Sequence, residues 1–146
     1  MEYFRTNPLG WGSTYQSHPV ALSCAYGVVK YMIDNKIVKH AENMEKIILN
    51  ELEKLMEENS NCIAQARING MAGCIDIMNP ETNDIICTTN EVHPKMIELK
   101  RNLFNNGFVS LVRGPLVHIA PPLISKPEDI KYGFDILNKS LHETFH

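Results

Sequence analysis

No hydrophobic stretch of this 146-residue chain is long enough to cross a bilayer, and its first residues, MEYFRTNPLG, lack the apolar core of a signal peptide. Cysteine is scarce. The four residues at 24, 62, 74 and 87 form no C-x-x-C pair, which argues against a disulfide framework or a thiolate metal site. Reduced thiols and a cytoplasmic location are the expectation. There is no basic stripe. Fourteen Lys and Arg are interspersed with 17 Asp and Glu, for a formal net charge of -3, so nucleic acid is not an expected partner and neither is a membrane. No G-x-S-x-G, P-loop or H-E-x-x-H motif occurs. Histidines 18, 40, 93, 142 and 146 have no zinc-ligand spacing, so no metal is expected.

What is present is ordinary globular material. Hydrophobic residues make up 44% and charged residues 21%, with no repeat, low-complexity tract or linker. A chain of this length buries roughly two thirds of its unfolded surface. Apolar residues at 20, 21, 24, 25, 28, 29, 32 and 33 have helical spacing and predict a helix over His18–Asn35. A stripe of Ile37, Ala41, Met44, Ile48, Leu52 and Leu55 predicts a second helix to about Asn59, its other face charged. Cys62–Ile68 and Met71–Met78 read as strands around Asn69-Gly70, a strong hairpin signal. A loop follows over Asn79–Asn90, with a short strand at Ile85–Cys87. Pro94 opens a third helix, with Met96, Leu99 and Leu103 inward.

Phe108–Val112 and Leu116–Ala120 read as a second hairpin across Arg113-Gly114-Pro115, ended by Pro121-Pro122. Ser125-x-x-Glu128 has the form of a capping box, with Pro127 inside the first turn of a last helix carrying Ile130, Phe134, Leu137 and Leu141. The order α-α-β-β-α-β-β-α, with short strand joins, predicts an α/β fold of α+β two-layer type: a small antiparallel sheet with helices on one face. Cys24, Cys62 and Cys74 fall in the apolar patterns and read as small core residues.

The stretch Gly10–Pro19, GWGSTYQSHP, concentrates glycines and hydroxyls just before the first long helix. Pro19 suits a first helical turn, and His18 reads as a helix-entry residue. Ser13, Thr14 and Ser17 could cap that helix or hold an anion at its positive end, and both readings stand on the local chemistry.

GWGSTYQSHPVALSCAYGVV resembles the segment that follows the active-site lysine in class III pyridoxal-phosphate aminotransferases. RINGMAGCIDI resembles that family's arginine-glycine-leucine strand pair, and GFVSLVRGPLVHIAPPLI its closing hairpin. The three blocks stand in order and cover almost the whole chain. The resemblance implies the tail of a fold-type-I large domain over 1–17, bearing a cofactor-phosphate loop, and the small C-terminal domain over 18–146. It implies pyridoxal 5'-phosphate as cofactor, with Thr14 binding the phosphate of the neighbouring subunit while Ser13 and Gly12 shape the turn, and hence a homodimer. Small-molecule amines and keto acids such as pyruvate are the implied substrates.

The family's Schiff-base lysine lies upstream of the G-S-T-Y block, and no lysine precedes Thr14 here. No catalytic residue is therefore assigned. The expectation is a chain that is inactive without its large domain, the alternative being a non-catalytic interaction module. Lys30, Lys36 and Lys39 read as solvated. Many relatives carry a carboxylate-gripping arginine two residues before A-P-P, and this chain has His118 there. Arg113, at the hairpin tip, and His118 are the candidate substrate-binding residues, set against an exposed turn arginine and a half-buried strand histidine. Arg67, in the strand-pair block, reads as structural.

Overall fold

Two side-chain periods build this chain, 3.6 in its helices and 2 in its strands. The computed structural model describes residues 2–10 and 12–146, and the chain divides into two compact units, residues 1–36 and 37–146.

The first unit holds a short helix, α1 (Tyr3–Thr6), which the sequence did not signal, and α2 (Pro19–Asp34). α2 starts at Pro19 with His18 as its N-cap, as expected. Its only charged residues are Lys30 and Asp34, which pair at 2.9 Å. A helix this apolar around its circumference is built for burial. Among the described residues nothing in its own unit covers it: none of its residues is buried, and Cys24, expected in a core, is exposed.

In the second unit, α3 (Ile37–Glu58) buries Ile37, Met44, Ile48, Leu52 and Leu55, the stripe read from the sequence. β1 (Ile63–Asn69) and β2 (Ala72–Ile77) form a hairpin in which Asn69 faces Ala72. The two turn residues are therefore Gly70 and Met71, one position on from the Asn-Gly centre expected. Gly70 takes the positive φ of +60° that such a turn requires. Ile85 forms a single bridge to Met78 rather than a strand. α4 (Pro94–Asn105) buries Met96, Leu99 and Leu103.

β3 is only Val112–Arg113, much shorter than the predicted Phe108–Val112, and it pairs with β4 (Leu116–Ile119). Arg113 lies in β3 opposite Leu116, so the turn is Gly114-Pro115 and Arg113 is not its tip. Ahead of β3 the chain leaves the ladder, and the Ser110 hydroxyl donates to the His118 carbonyl at 2.6 Å.

α5 (Pro127–Phe145) closes the fold and buries Ile130, Phe134, Leu137 and Leu141. Its cap sits one residue later than expected. Pro127 takes the first helical position, which makes Lys126 the N-cap, and the Asp129 carboxylate accepts from the Lys126 N–H at 2.8 Å. Ser125 lies outside the helix, its carbonyl bonded by His40 Nε2 at 2.9 Å.

The sheet order is β1-β2-β4-β3, antiparallel throughout. One face, with Ile75, Val117 and Ile119, packs on α3, α4 and α5 to form the core. This is the two-layer arrangement read from the sequence. Cys62 joins the core, and burial pushes its thiol pKa up to about 11. Truncating the fully buried Leu99 to alanine lowers stability by about 2–5 kcal/mol, whereas Ile97→Ala, on the exposed side of the same helix, changes it by no more than about 0.5 kcal/mol. Urea unfolding of the two variants measures both.

Candidate functional site

The candidate cofactor residues lie in the first unit. Gly12, Ser13 and Thr14 are exposed. Gln16 folds back over this turn: its Oε1 accepts from the Ser13 N–H at 3.1 Å, and a Cβ on Gly12 would stand 3.3 Å from that oxygen. The small residue at 12 leaves room for this approach. Among the described residues the hydroxyls of Ser13, Thr14 and Ser17 make no hydrogen bond, so none of them caps α2, and His18 provides no side-chain cap either. An uncapped helix start offers free N–H groups and the positive end of the helix dipole. Free hydroxyls beside an uncapped helix start suit a phosphate, so the residues present fit the phosphate end of the cofactor.

The candidate substrate residues lie in the second unit. Strand alternation puts Gln65, Arg67, Cys74, Asp76, His118 and Arg113 on the sheet face opposite the core. Arg67, Cys74 and His118 stand in one row across β1, β2 and β4. Arg67 is committed within that face. Its guanidinium makes two parallel bonds to Asp76, 2.7 Å and 2.8 Å, and a third contact of 3.2 Å to Cys74 Sγ. The bonds to Asp76, then that to Cys74, hold it even more firmly protonated than an ordinary arginine. The structural reading of Arg67 is thereby explained. Its partner Asp76, with a side chain only 12% exposed, was not singled out from the sequence. The signal was available: Arg67 and Asp76 stand on the same face of a predicted hairpin.

His118 is half-buried, as expected for a strand residue. Its hydrogen bonds are main-chain ones, N–H to the Leu111 carbonyl at 3.0 Å and C=O from Ser110, while its ring makes none among the described residues. Arg113 is exposed, and its side chain makes no ion pair or hydrogen bond among the described residues. The two candidates sit on adjacent strands of one face, two residues apart in register, and among the described residues both side chains are without a hydrogen-bond partner. Lys30 and Lys39 are exposed and paired with Asp34 and Glu42 at 2.9 and 2.8 Å, in accord with the solvated reading.

The sequence profile of the family "Aminotransferase class-III" matches residues 2–141. The chain belongs to the class-III aminotransferase family. It is 28% identical to the mitochondrial ornithine aminotransferase of Rattus norvegicus over 131 residues, which are 89% of this chain and 27% of the rat protein. It is 24% identical over 135 residues to a leucine/methionine racemase of Thermococcus litoralis, 92% of this chain and 29% of that protein. Among solved structures, the taurine:2-oxoglutarate aminotransferase of Bifidobacterium kashiwanohense, in complex with PLP and glutamate, superposes with a TM-score of 0.85 at 27% identity. That match covers 99% of this chain and 33% of the other. The class-III chain thus spans about a third or less of the relatives it matches. Pyridoxal phosphate is the cofactor that the family's full enzymes carry, as in the Bifidobacterium structure.

The hairpin bearing Arg113 and His118 turns on Gly114, whose φ is +53°. A Cβ there would lie 2.5 Å from Thr89 Cα, so strain and overlap act together. Gly114→Ala is expected to cost about 1–3 kcal/mol of stability and to shift the Thr88 and Thr89 amide signals in an NMR spectrum. Unchanged stability would show that the 88–89 loop yields freely.

Proposed function

We propose that this chain is the carboxy-terminal part of a pyridoxal-phosphate-dependent class-III aminotransferase, moving an amino group from an amine or amino acid to a keto acid such as pyruvate. The observation that carries this reading is the uncapped start of α2 at Pro19, five residues after Thr14 of Gly12-Ser13-Thr14, within a family match over residues 2–141. The first 17 residues end the large domain and the remainder builds the small one. Thr14 and Ser13 donate to the cofactor phosphate, Gly12 keeps the backbone clear, and the positive end of α2 favours the anion. The phosphate held is that of the neighbouring subunit, so the working protein is a homodimer, placed in the cytoplasm. When bound, the cofactor acts as an electron sink for the bond broken at the substrate carbon. Arg113 and His118 orient the substrate carboxylate, because Arg67 is committed to Asp76.

On this reading none of the described lysines is assigned to the cofactor, and Lys30 and Lys39 lie in exposed ion pairs. A non-catalytic interaction module is the alternative, and the same lysine pattern favours it.

Titrating the 146-residue protein with pyridoxal phosphate should give no saturable absorbance band that a single lysine substitution abolishes; such a band contradicts the reading. Joined in frame behind the large domain of the Bifidobacterium enzyme, in place of that enzyme's own last third, the chain should restore cofactor-dependent amino transfer. In that chimera Thr14→Ala should weaken cofactor binding about tenfold or more, the effect of losing a hydrogen bond to a charged group. A folded chimera that binds no cofactor, or that ignores the Thr14 substitution, would favour the interaction module.

A further inference from the structure

Within the second unit, the segment 107–111, the end of β4 and α5 enclose an open cavity of about 590 Å³. That size lies in the range of small-molecule sites. Its walls are apolar, with Phe108, Leu111, Ile119, Pro122, Phe134 and Leu137 among them, and no lysine or arginine lines it. The lining's one carboxylate, Asp129, is engaged by the Lys126 N–H at 2.8 Å. Ile119, Phe134 and Leu137 belong to the core, so one wall is rigid. The opposite wall is braced by the Ser110 hydroxyl on the His118 carbonyl.

A second observation concerns Gly133, which lies in the interior of α5 and on the cavity wall. Glycine in a helix interior is destabilising relative to alanine. Neither its backbone, which has no positive φ, nor its surroundings demand glycine. An added Cβ would meet Phe108 Cε2 at 3.4 Å, an ordinary contact. The structural consequence of the glycine is to leave volume open beside Phe108.

We propose that this cavity is a binding site for a neutral, apolar small molecule carrying an aromatic ring system or a branched aliphatic group, small enough for its roughly 590 Å³. Neutrality follows from a lining with no lysine or arginine, in which His118 stands on the sheet face turned from the core, and whose single carboxylate is already bonded. Preference for apolar matter follows from the walls, since water in such a space finds few partners. The inference does not rest on the aminotransferase reading, and its test needs no cofactor.

The probe is indole, titrated into the 146-residue protein and followed by 1H–15N NMR. Saturable shifts should appear at the Ser110, Ile119 and Gly133 amides, and succinate, a dianion, should produce none there. Gly133→Leu should weaken indole binding at least tenfold while leaving a dispersed spectrum. Gly133→Ala, whose single methyl the structure accommodates, should weaken it severalfold and raise the melting temperature. Binding unchanged in both variants overturns the proposal. So do shifts that fall on α2 instead of the cavity, or succinate competing with indole. Shifts at the lining amides that follow protein concentration rather than indole would make the cavity an interface between copies, and would overturn it equally.

Discussion

The pleat of the four-stranded sheet is the constraint on which both the core and the candidate substrate face depend. Side chains on a strand alternate, so the register that sends Ile75, Val117 and Ile119 into the helices must send Cys74, Asp76 and His118 the other way. A slip of one residue would exchange the two sets and bury charge in the core. The Arg67–Asp76 pair reinforces this register from the polar side. Its two parallel bonds form only when the two strands are correctly aligned. Core packing and polar pairing therefore specify the same alignment, and His118 inherits its place in the row from both.

The same constraint separates arginines that look alike in sequence. Arg67 is satisfied within the fold by a neighbouring carboxylate, while Arg113 keeps its guanidinium free on the same face. A histidine stands beside it where many relatives are expected to carry an arginine. An imidazole is a weaker and pH-dependent partner for a carboxylate than a guanidinium.

Much of the fold was legible in the sequence. The stripe of α4 matches its buried residues one for one; that of α3 does so except for the half-buried Ala41, and α5 buries Ile136, Ser140 and Thr144 besides its stripe, because helix amphipathicity is largely a local property. The places that misled turn on local geometry that residue patterns leave open. The short β3 gives up its ladder where the Ser110 hydroxyl replaces a main-chain donor. The cap of α5 moved because Pro127 claims the first helical position. The Asn69-Gly70 signal marked the right turn, but the strand register placed Gly70 and Met71 at its centre. Cys24 shows the opposite limit. Its apolar pattern read as that of a core residue, yet Cys24 is exposed and none of the described residues of the first unit buries it. The Gly10–Pro19 stretch read as a choice between cap and anion site, and among the described residues no side chain caps α2.

The central claim is that the turn at Gly12–Thr14 and the start of α2 hold the cofactor phosphate. Amide hydrogen exchange across residues 12–22 of the assembled enzyme, with and without pyridoxal phosphate, tests it most directly. The N–H groups of an uncapped first turn exchange quickly, and an anion seated on them slows that exchange. The account predicts slowing of tenfold or more in this segment on adding the cofactor. Equal rates with and without it, in an enzyme that demonstrably binds pyridoxal phosphate, would contradict the account.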